Sequence, residues 1–148
     1  MEFELHNDVT GDAYQSFIEA ACKKSAKFHL VIRKEVAVAQ SAKAILKKLE
    51  PSLIQKVEKS EWASTILDGE TAYVYYYHTD DAAKKVLQQA VSSLYAWQQP
   101  NFPEDLSFFR DNGADWLATS SREQNCHLTL EPQEAKELLD KVATLQFD

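Results

Sequence analysis

Apolar positions along the chain recur with two different periods, and the switches between them outline a mixed α and β architecture. Tyr14, Phe17, Ile18, Ala21 and Cys22 follow one another at helical spacing, with Gln15, Glu19, Lys23 and Lys24 on the opposite face. This predicts an amphipathic helix ending near Lys27 and opened by a capping box between Asp12 and Gln15. Phe28 to Arg33 is rich in strand formers and predicts a strand. A second helix is predicted from Ser41 toward Leu49, with Ile45, Leu46 and Leu49 inward. It stops at Pro51, because the residue before a proline avoids helical geometry. Leu53 to Trp62 fits two patterns: Leu53, Ile54 and Val57 suit a helix, while Val57, Lys59 and Glu61 alternate, which favours a strand in the later part.

Met1 to Leu5 alternates weakly, as a short strand would, and Asp68-Gly69 marks a turn. In Ala72 to His78 the odd residues Tyr73, Tyr75 and Tyr77 share one face, and Val74, Tyr76 and His78 the other. Bulk on both faces predicts a central strand. Thr79 or Asp80 can cap the next helix, whose stripe of Ala83, Val86, Leu87, Ala90, Val91, Leu94 and Tyr95 runs to near Trp97. A proline-bounded loop, Gln98 to Pro103, follows. Leu106 to Arg110 and Ala114 to Ser120 read as strands joined through Asp111-Asn112-Gly113, since Asn-Gly is a strong hairpin signal. Cys126 to Leu130 reads as a short strand. Pro132 suits the first turn of a closing helix that buries Ala135, Leu138, Leu139 and Val142.

Strict alternation of strands and helices breaks at the Asp111–Gly113 hairpin. The expected fold is therefore a single α+β domain over residues 1–148, with a largely antiparallel mixed sheet and about four helices packed on it. Three glycines and four prolines in 148 residues are too few for a disordered chain or a turn-rich β-sandwich. The net charge of −7 and the absence of a dense Lys/Arg stripe make nucleic acid an unexpected partner. No apolar run approaches the roughly 20 residues of a membrane helix. Met1-Glu2-Phe3-Glu4-Leu5-His6 shows neither a basic leader nor an apolar core of a secretory signal. Cys22 and Cys126 lie far apart and outside any Cys-x-x-Cys pair, so a cytoplasmic protein with free thiols is expected.

Catalytic signatures are missing from the sequence. His6, His29, His78 and His127 form no metal-ligand frame, and His78 with Asp80 and Asp81 is more simply the acidic start of a helix. Neighbouring Cys126 and His127 would point to opposite faces of a strand. Ser120 and Ser121 have no Gly-x-Ser-x-Gly elbow, and Gly11, Gly69 and Gly113 are too sparse for a phosphate loop. Glu104-Asp105 is the one adjacent carboxylate pair with an apolar run behind it; its simpler role is to cap or start a turn. No catalytic residue, metal site or cofactor is assigned, and the weight of the sequence is against an enzyme. What stands out is aromatic: Trp62, Trp97 and Trp116, four tyrosines in Tyr73–Tyr77, Tyr95, Phe102, Phe108 and Phe109 all lie beyond residue 60. Trp62, Trp97, Glu104, Asp105, Trp116, Arg122 and Glu123 are the candidate binding residues, aromatics with a polar rim.

Three stretches carry a resemblance: Glu61-Trp62-Ala63-Ser64-Thr65; Leu94-Tyr95-Ala96-Trp97 leading to Pro103-Glu104-Asp105-Leu106-Ser107-Phe108; and Trp116-Leu117-Ala118-Thr119-Ser120-Ser121-Arg122-Glu123. They resemble small bacterial proteins of unknown function, some labelled stage III sporulation AH-like, over the C-terminal two-thirds of the chain. Ala63-Ser64 stands where those proteins have a Pro-Gly-like pair, and Arg122 where they have a histidine. The guanidinium stays protonated and cannot replace a basic histidine. The resemblance implies no activity. The functional expectation is a non-enzymatic cytoplasmic module that binds a protein partner. An immunity- or antitoxin-like role, a small-ligand binder or enzyme with an aromatic-walled pocket, and a structural subunit of a homo-oligomer are the alternatives.

Overall fold

The computed structural model describes residues 1–5, 7–142 and 144–146, so His6 lies outside the described residues. The strands are β1 (Glu2–Glu4), β2 (Lys27–Arg33), β3 (Leu53–Lys59), β4 (Glu61–Trp62), β5 (Thr65–Ile66), β6 (Ala72–His78), β7 (Glu104–Phe109), β8 (Asp115–Ser120) and β9 (Asn125–Thr129). The helices are α1 (Gly11–Lys24), α2 (Gln40–Leu49), α3 (Asp81–Ala90) and α4 (Pro132–Lys141). Seven strands form one sheet in the order β1-β9-β8-β7-β2-β6-β3. Every neighbouring pair is antiparallel. This is the expected α+β fold, and no helix among the described residues is long and apolar enough to cross a membrane.

The side-chain period of two gives the sheet two different faces. Phe28 and Leu30 of β2 lie opposite Tyr77 and Tyr75 of β6. They join the main core, to which α1 adds Tyr14, Phe17 and Ile18, α2 adds Ile45 and Leu49, α3 adds Leu87 and α4 adds Leu138. All four helices thus cover one face. On the other face Val31, Ala72 and Val74 form a second small core under Trp62 of the β4–β5 hairpin. A central strand with both faces covered must be apolar on both, which is why β2 is buried from Phe28 to Ile32.

The helix starts follow local chemistry. Asp80 caps α3, its Oδ1 accepting from the Ala83 N–H at 2.8 Å. Glu131 and Glu134 close a capping box on α4, with Pro132 in its first turn. At α1 the expected Asp12–Gln15 box does not form. Thr10 occupies the cap position, and Gln15 instead pairs reciprocally with Gln88 of α3, at 2.9 and 3.1 Å. The helix also ends at Lys24, short of Lys27, because β2 starts there.

The helix predicted to run to Trp97 stops at Ala90. Residues 92–94 are taken up by main-chain pairing with the segment before α1: Gly11 N–H donates to Ser92 O at 2.8 Å and Leu94 N–H to Val9 O at 3.0 Å. A single 3-10 turn, Leu94–Ala96, then drives Leu94 and Trp97 into the core. The ambiguous segment at residues 53–62 resolves into two strands, β3 and then β4, with a bend at Ser60 between them, and the short β4–β5 hairpin was not foreseen.

One buried chain of hydrogen bonds ties this turn to the helices. Trp97 Nε1–H donates to the Tyr14 hydroxyl at 2.9 Å, which donates to Leu87 O at 2.7 Å. Tyr14 and Trp97 are fully buried. Tyr14→Phe removes the acceptor of the indole N–H while keeping the ring, so it should cost about 1–3 kcal/mol of unfolding free energy, read from urea denaturation. A loss within error of zero would show that the chain is not a stabilising link.

Candidate functional site

The candidate residues separate into three places. Trp97 and Trp116 are fully buried on the helix-covered face, Trp116 against Phe17 and Phe108 at ring-centroid distances of 5.6 and 6.4 Å. Glu123 lies exposed on the 121–124 turn, where its carboxylate accepts from Asn125 Nδ2 at 3.3 Å. Trp62, Glu104, Asp105 and Arg122 come together on the other side of the sheet, joined by Arg33 and Gln99. The three resembling segments therefore meet in space through these four residues.

A bulge makes this convergence possible. In the pairing of β2 with β7, His29 lies opposite Ser107 and Val31 opposite Glu104, so the register shifts between them. Asp105 sits at the shift with φ of +58°, in the left-handed region that Asp tolerates better than most residues. A bulge re-aims side chains, so two adjacent carboxylates that regular alternation would send to opposite faces both reach Arg33. Both are buried. Glu104 Oε2 accepts from Arg33 Nε at 3.1 Å, and its Oε1 accepts from Arg122 and, at 3.3 Å, from the Gln99 N–H. Asp105 Oδ2 accepts from Trp62 Nε1 at 2.9 Å and Oδ1 from the Ser121 N–H at 2.9 Å, with Arg33 4.0 Å away. Gln99 completes the knot: its Oε1 accepts from the Arg33 N–H at 2.6 Å, and its Nε2 donates to Arg33 O and Val36 O, each at 3.1 Å.

The cluster positions Trp62 more than it offers chemistry. The Arg33 guanidinium lies 5.2 Å from the centroid of the Trp62 ring, while Asp105 holds the indole N–H. Burial raises the Asp105 carboxyl above the usual range, against the pull of the Ser121 and Trp62 hydrogen bonds. A buried acid with a raised affinity for its proton is a signature of catalysis. Here, however, both Asp105 oxygens accept hydrogen bonds and both Glu104 oxygens are held by arginine, leaving no face for a substrate.

Beyond the indole lies an open groove of about 330 Å³, lined by Trp62, Tyr76, Phe109, Lys27 and Lys59, with Glu61 and Asp115 among its charged residues. Lys59 Nζ donates to the Tyr76 hydroxyl at 2.9 Å. Burial, with Glu2 nearby, raises the Asp115 carboxyl above its ordinary range. His29 lies on the same face of the sheet, its ring 5.1 Å from Phe109 and 5.9 Å from Tyr76. It is fully buried, and neither ring nitrogen meets a hydrogen-bond partner in proper geometry among the described residues. Burial pushes its pKa down to about 3; the Asp105 main chain pulls the other way, and Lys59 adds to the lowering. Arg33, Gln99, Tyr76, Phe109 and His29 were not singled out from sequence. Tyr76 and Phe109 were two of the many aromatics beyond residue 60, with no local feature to set them apart, and nothing local marks Arg33 or Gln99.

The thiols offer no nucleophile. Cys22 and Cys126 are free and buried, and burial pushes each up to about 12. Cys126 accepts from the Tyr95 hydroxyl at 3.4 Å. Among the described residues no three His, Cys, Asp or Glu gather where a metal ion could be held.

Two outcomes test this geometry. Glu104→Gln keeps the shape but leaves Arg33 and Arg122 facing a neutral amide, and should cost about 3 kcal/mol in urea denaturation, as breaking a buried pair does. His29 is neutral in the folded chain at a pH where the unfolded histidine, near 6.5, already takes up a proton. Its contribution is constant above that value and is lost as pH falls toward about 3. Between pH 7 and pH 5 this removes about 2 kcal/mol. Asp105 has the opposite sign, its raised pKa favouring the folded state as pH falls. His29→Leu should therefore flatten the loss of stability between pH 7 and pH 5, and an unchanged slope would refute the assignment.

Compared with family models, curated proteins and solved structures, the chain finds no match.

Proposed function

We propose that this is a non-enzymatic cytoplasmic protein that recognises a partner protein through the groove beside Trp62. The observation that carries this reading is the contrast between cluster and groove. The groups with catalytic character are spent on one another, whereas the groove beside Trp62 is open to solvent, with half-buried Tyr76 in its wall and charged residues on its rim. Fixed aromatic rings with a charged rim suit the recognition of a partner's side chains. A rigidly held indole also loses little freedom on binding. Two buried, free thiols agree with a reducing compartment.

An immunity- or antitoxin-like role is one form of this reading, supported by the net charge of −7, which favours a basic partner. A second reading, a small-molecule binder, is favoured by the groove's volume of about 330 Å³, at the small end of known ligand pockets.

Reversing the groove's two carboxylates tests the protein-partner reading. Tagged protein and the double variant Glu61→Arg, Asp115→Arg would be used to capture partners from the native host at low salt. The expected result is one stoichiometric protein retained by the native chain and reduced at least tenfold by the variant, with melting temperatures within about 3 °C of each other. Equal capture by both, or no stoichiometric partner at all, would overturn the proposal.

A further inference from the structure

α4 is buried along one side only. Ala135 and Leu138 point into the main core, whereas Leu139, which the sequence pattern also placed inside, is 41% exposed. Leu139 borders an open groove of about 470 Å³ between α4 and the edge strand β1. Met1 and Phe3 form its strand side, and Pro132, Ala135 and Leu139 its helix side. Phe3 lies opposite the core residue Leu128, so Phe3 faces the helix layer, while Glu2 and Glu4 face the other side of the sheet. Met1 is 71% exposed. Two charged residues complete the groove, Lys136 and Asp140. Both are exposed, and neither enters an ion pair among the described residues.

The order of these residues along α4 decides what can cover them. Pro132, Lys136, Leu139 and Asp140 stand at positions i, i+4, i+7 and i+8, which puts them on one stripe of the helix. The stripe carries one positive and one negative charge about one turn apart. If a second copy of the helix is laid against it in the opposite direction, with a two-fold axis crossing at residue 138, residue 136 of each copy falls beside residue 140 of the other. Lys136 then meets Asp140 twice, and the two Leu139 side chains meet next to the axis. Parallel helices would instead set lysine against lysine and aspartate against aspartate. In a chain of net charge −7, a stripe whose own charges cancel is a place where two copies can meet without repulsion. Pairing of β1 with β1 is a poor alternative. Antiparallel strands centred on Phe3 would set Glu2 directly opposite Glu4 of the other copy, and like charges so placed are destabilising.

We propose that this protein self-associates as a two-fold dimer through α4, with the two helices antiparallel, the groove beside β1 covered by the same surface of the second copy, and Lys136 of each copy paired with Asp140 of the other. Leu139 and the groove supply the apolar contact, and the two symmetric ion pairs fix the direction of the helices. This surface shares no residue with the Trp62 groove, which lies across the sheet. Its failure would therefore leave the groove reading untouched.

Sedimentation equilibrium of the full chain at low salt, from about 10 µM to about 1 mM, tests the dimer. The native chain should pass from 16.8 kDa toward twice that mass. Lys136→Asp alone would set aspartate against aspartate across the axis, and Asp140→Lys alone would set lysine against lysine; each should weaken the dimer at least tenfold. The double variant Lys136→Asp, Asp140→Lys restores opposite charges and should dimerise as the native chain does. An equimolar mixture of the two single variants should also dimerise, because every pair across the mixed interface is again lysine with aspartate. Both positions are exposed, so the variants should fold as the native chain does, and recovery in the mixture shows this directly. Glu61→Arg, Asp115→Arg should leave the association unchanged. A native chain that stays monomeric at about 1 mM would overturn the proposal. So would single variants that dimerise as tightly as the native chain, or a double variant or mixture that stays monomeric.

Discussion

A buried carboxylate between two guanidinium groups is the constraint on which the second face of this sheet depends. Glu104 is fully buried, and an isolated charge there would be far too costly to keep. Arg33 and Arg122 offset that cost only if each is brought to the carboxylate from a different element: Arg33 from the end of β2, Arg122 from the turn after β8. Gln99 adds a third segment by binding both the carboxylate and the main chain around Arg33. Satisfying one charge therefore fixes the relative positions of β2, β7, the loop at Gln99 and the 121–124 turn. Such a pair contributes less to stability than to uniqueness, since an apolar replacement of equal shape would hold the segments without specifying their polar contacts.

The bulge at Asp105 extends this constraint to Trp62. Without the register shift between His29 and Val31, only one of the two carboxylates would face the arginines. With it, Asp105 faces the hairpin and takes the indole N–H, and the hairpin has little else to anchor it: β4 and β5 are two residues each, and Ile66 at the end of β5 is 80% exposed. A two-stranded hairpin of that size has no independent stability. Its position rests on Trp62, held by Asp105 through the N–H and by Arg33 across the ring. The groove is a consequence of this, because the same indole that is anchored on its polar edge presents its apolar surface to Tyr76 and Phe109.

The parts of this arrangement visible in the sequence are those set by local pattern. Alternation in Ala72–His78 placed Tyr75 and Tyr77 on one face and Tyr76 on the other, as the register with β2 has them. Asn112-Gly113 marked the β7–β8 hairpin, and Pro132 the start of α4. Trp62, Glu104, Asp105 and Arg122 were singled out as polar and aromatic residues beyond residue 60, and they do meet. Trp97 and Trp116 carry the same local signal yet lie in the main core, Trp116 at the register shift between β7 and β8 and Trp97 at the end of the 3-10 turn Leu94–Ala96, and no periodicity reveals either. Arg33 was invisible for a related reason: it ends a strand whose pattern is apolar, and its partner lies 71 residues away. The helix expected to reach Trp97 was wrong because its last turn had a competing use for its main chain, pairing with residues 9–11.

Net charge proved the least informative number. A total of −7 describes the molecule from afar, but at physiological ionic strength charges are felt over about 8 Å. Within that range a partner meets not the total but a local surface. Residues 23–59 carry ten lysines and arginines against three carboxylates, while the edge strand β1 carries Glu2 and Glu4. An argument from overall acidity, which favours a basic partner, holds only where the local surface is itself acidic. Where the local surface is basic, the same Coulomb reasoning reverses its sign.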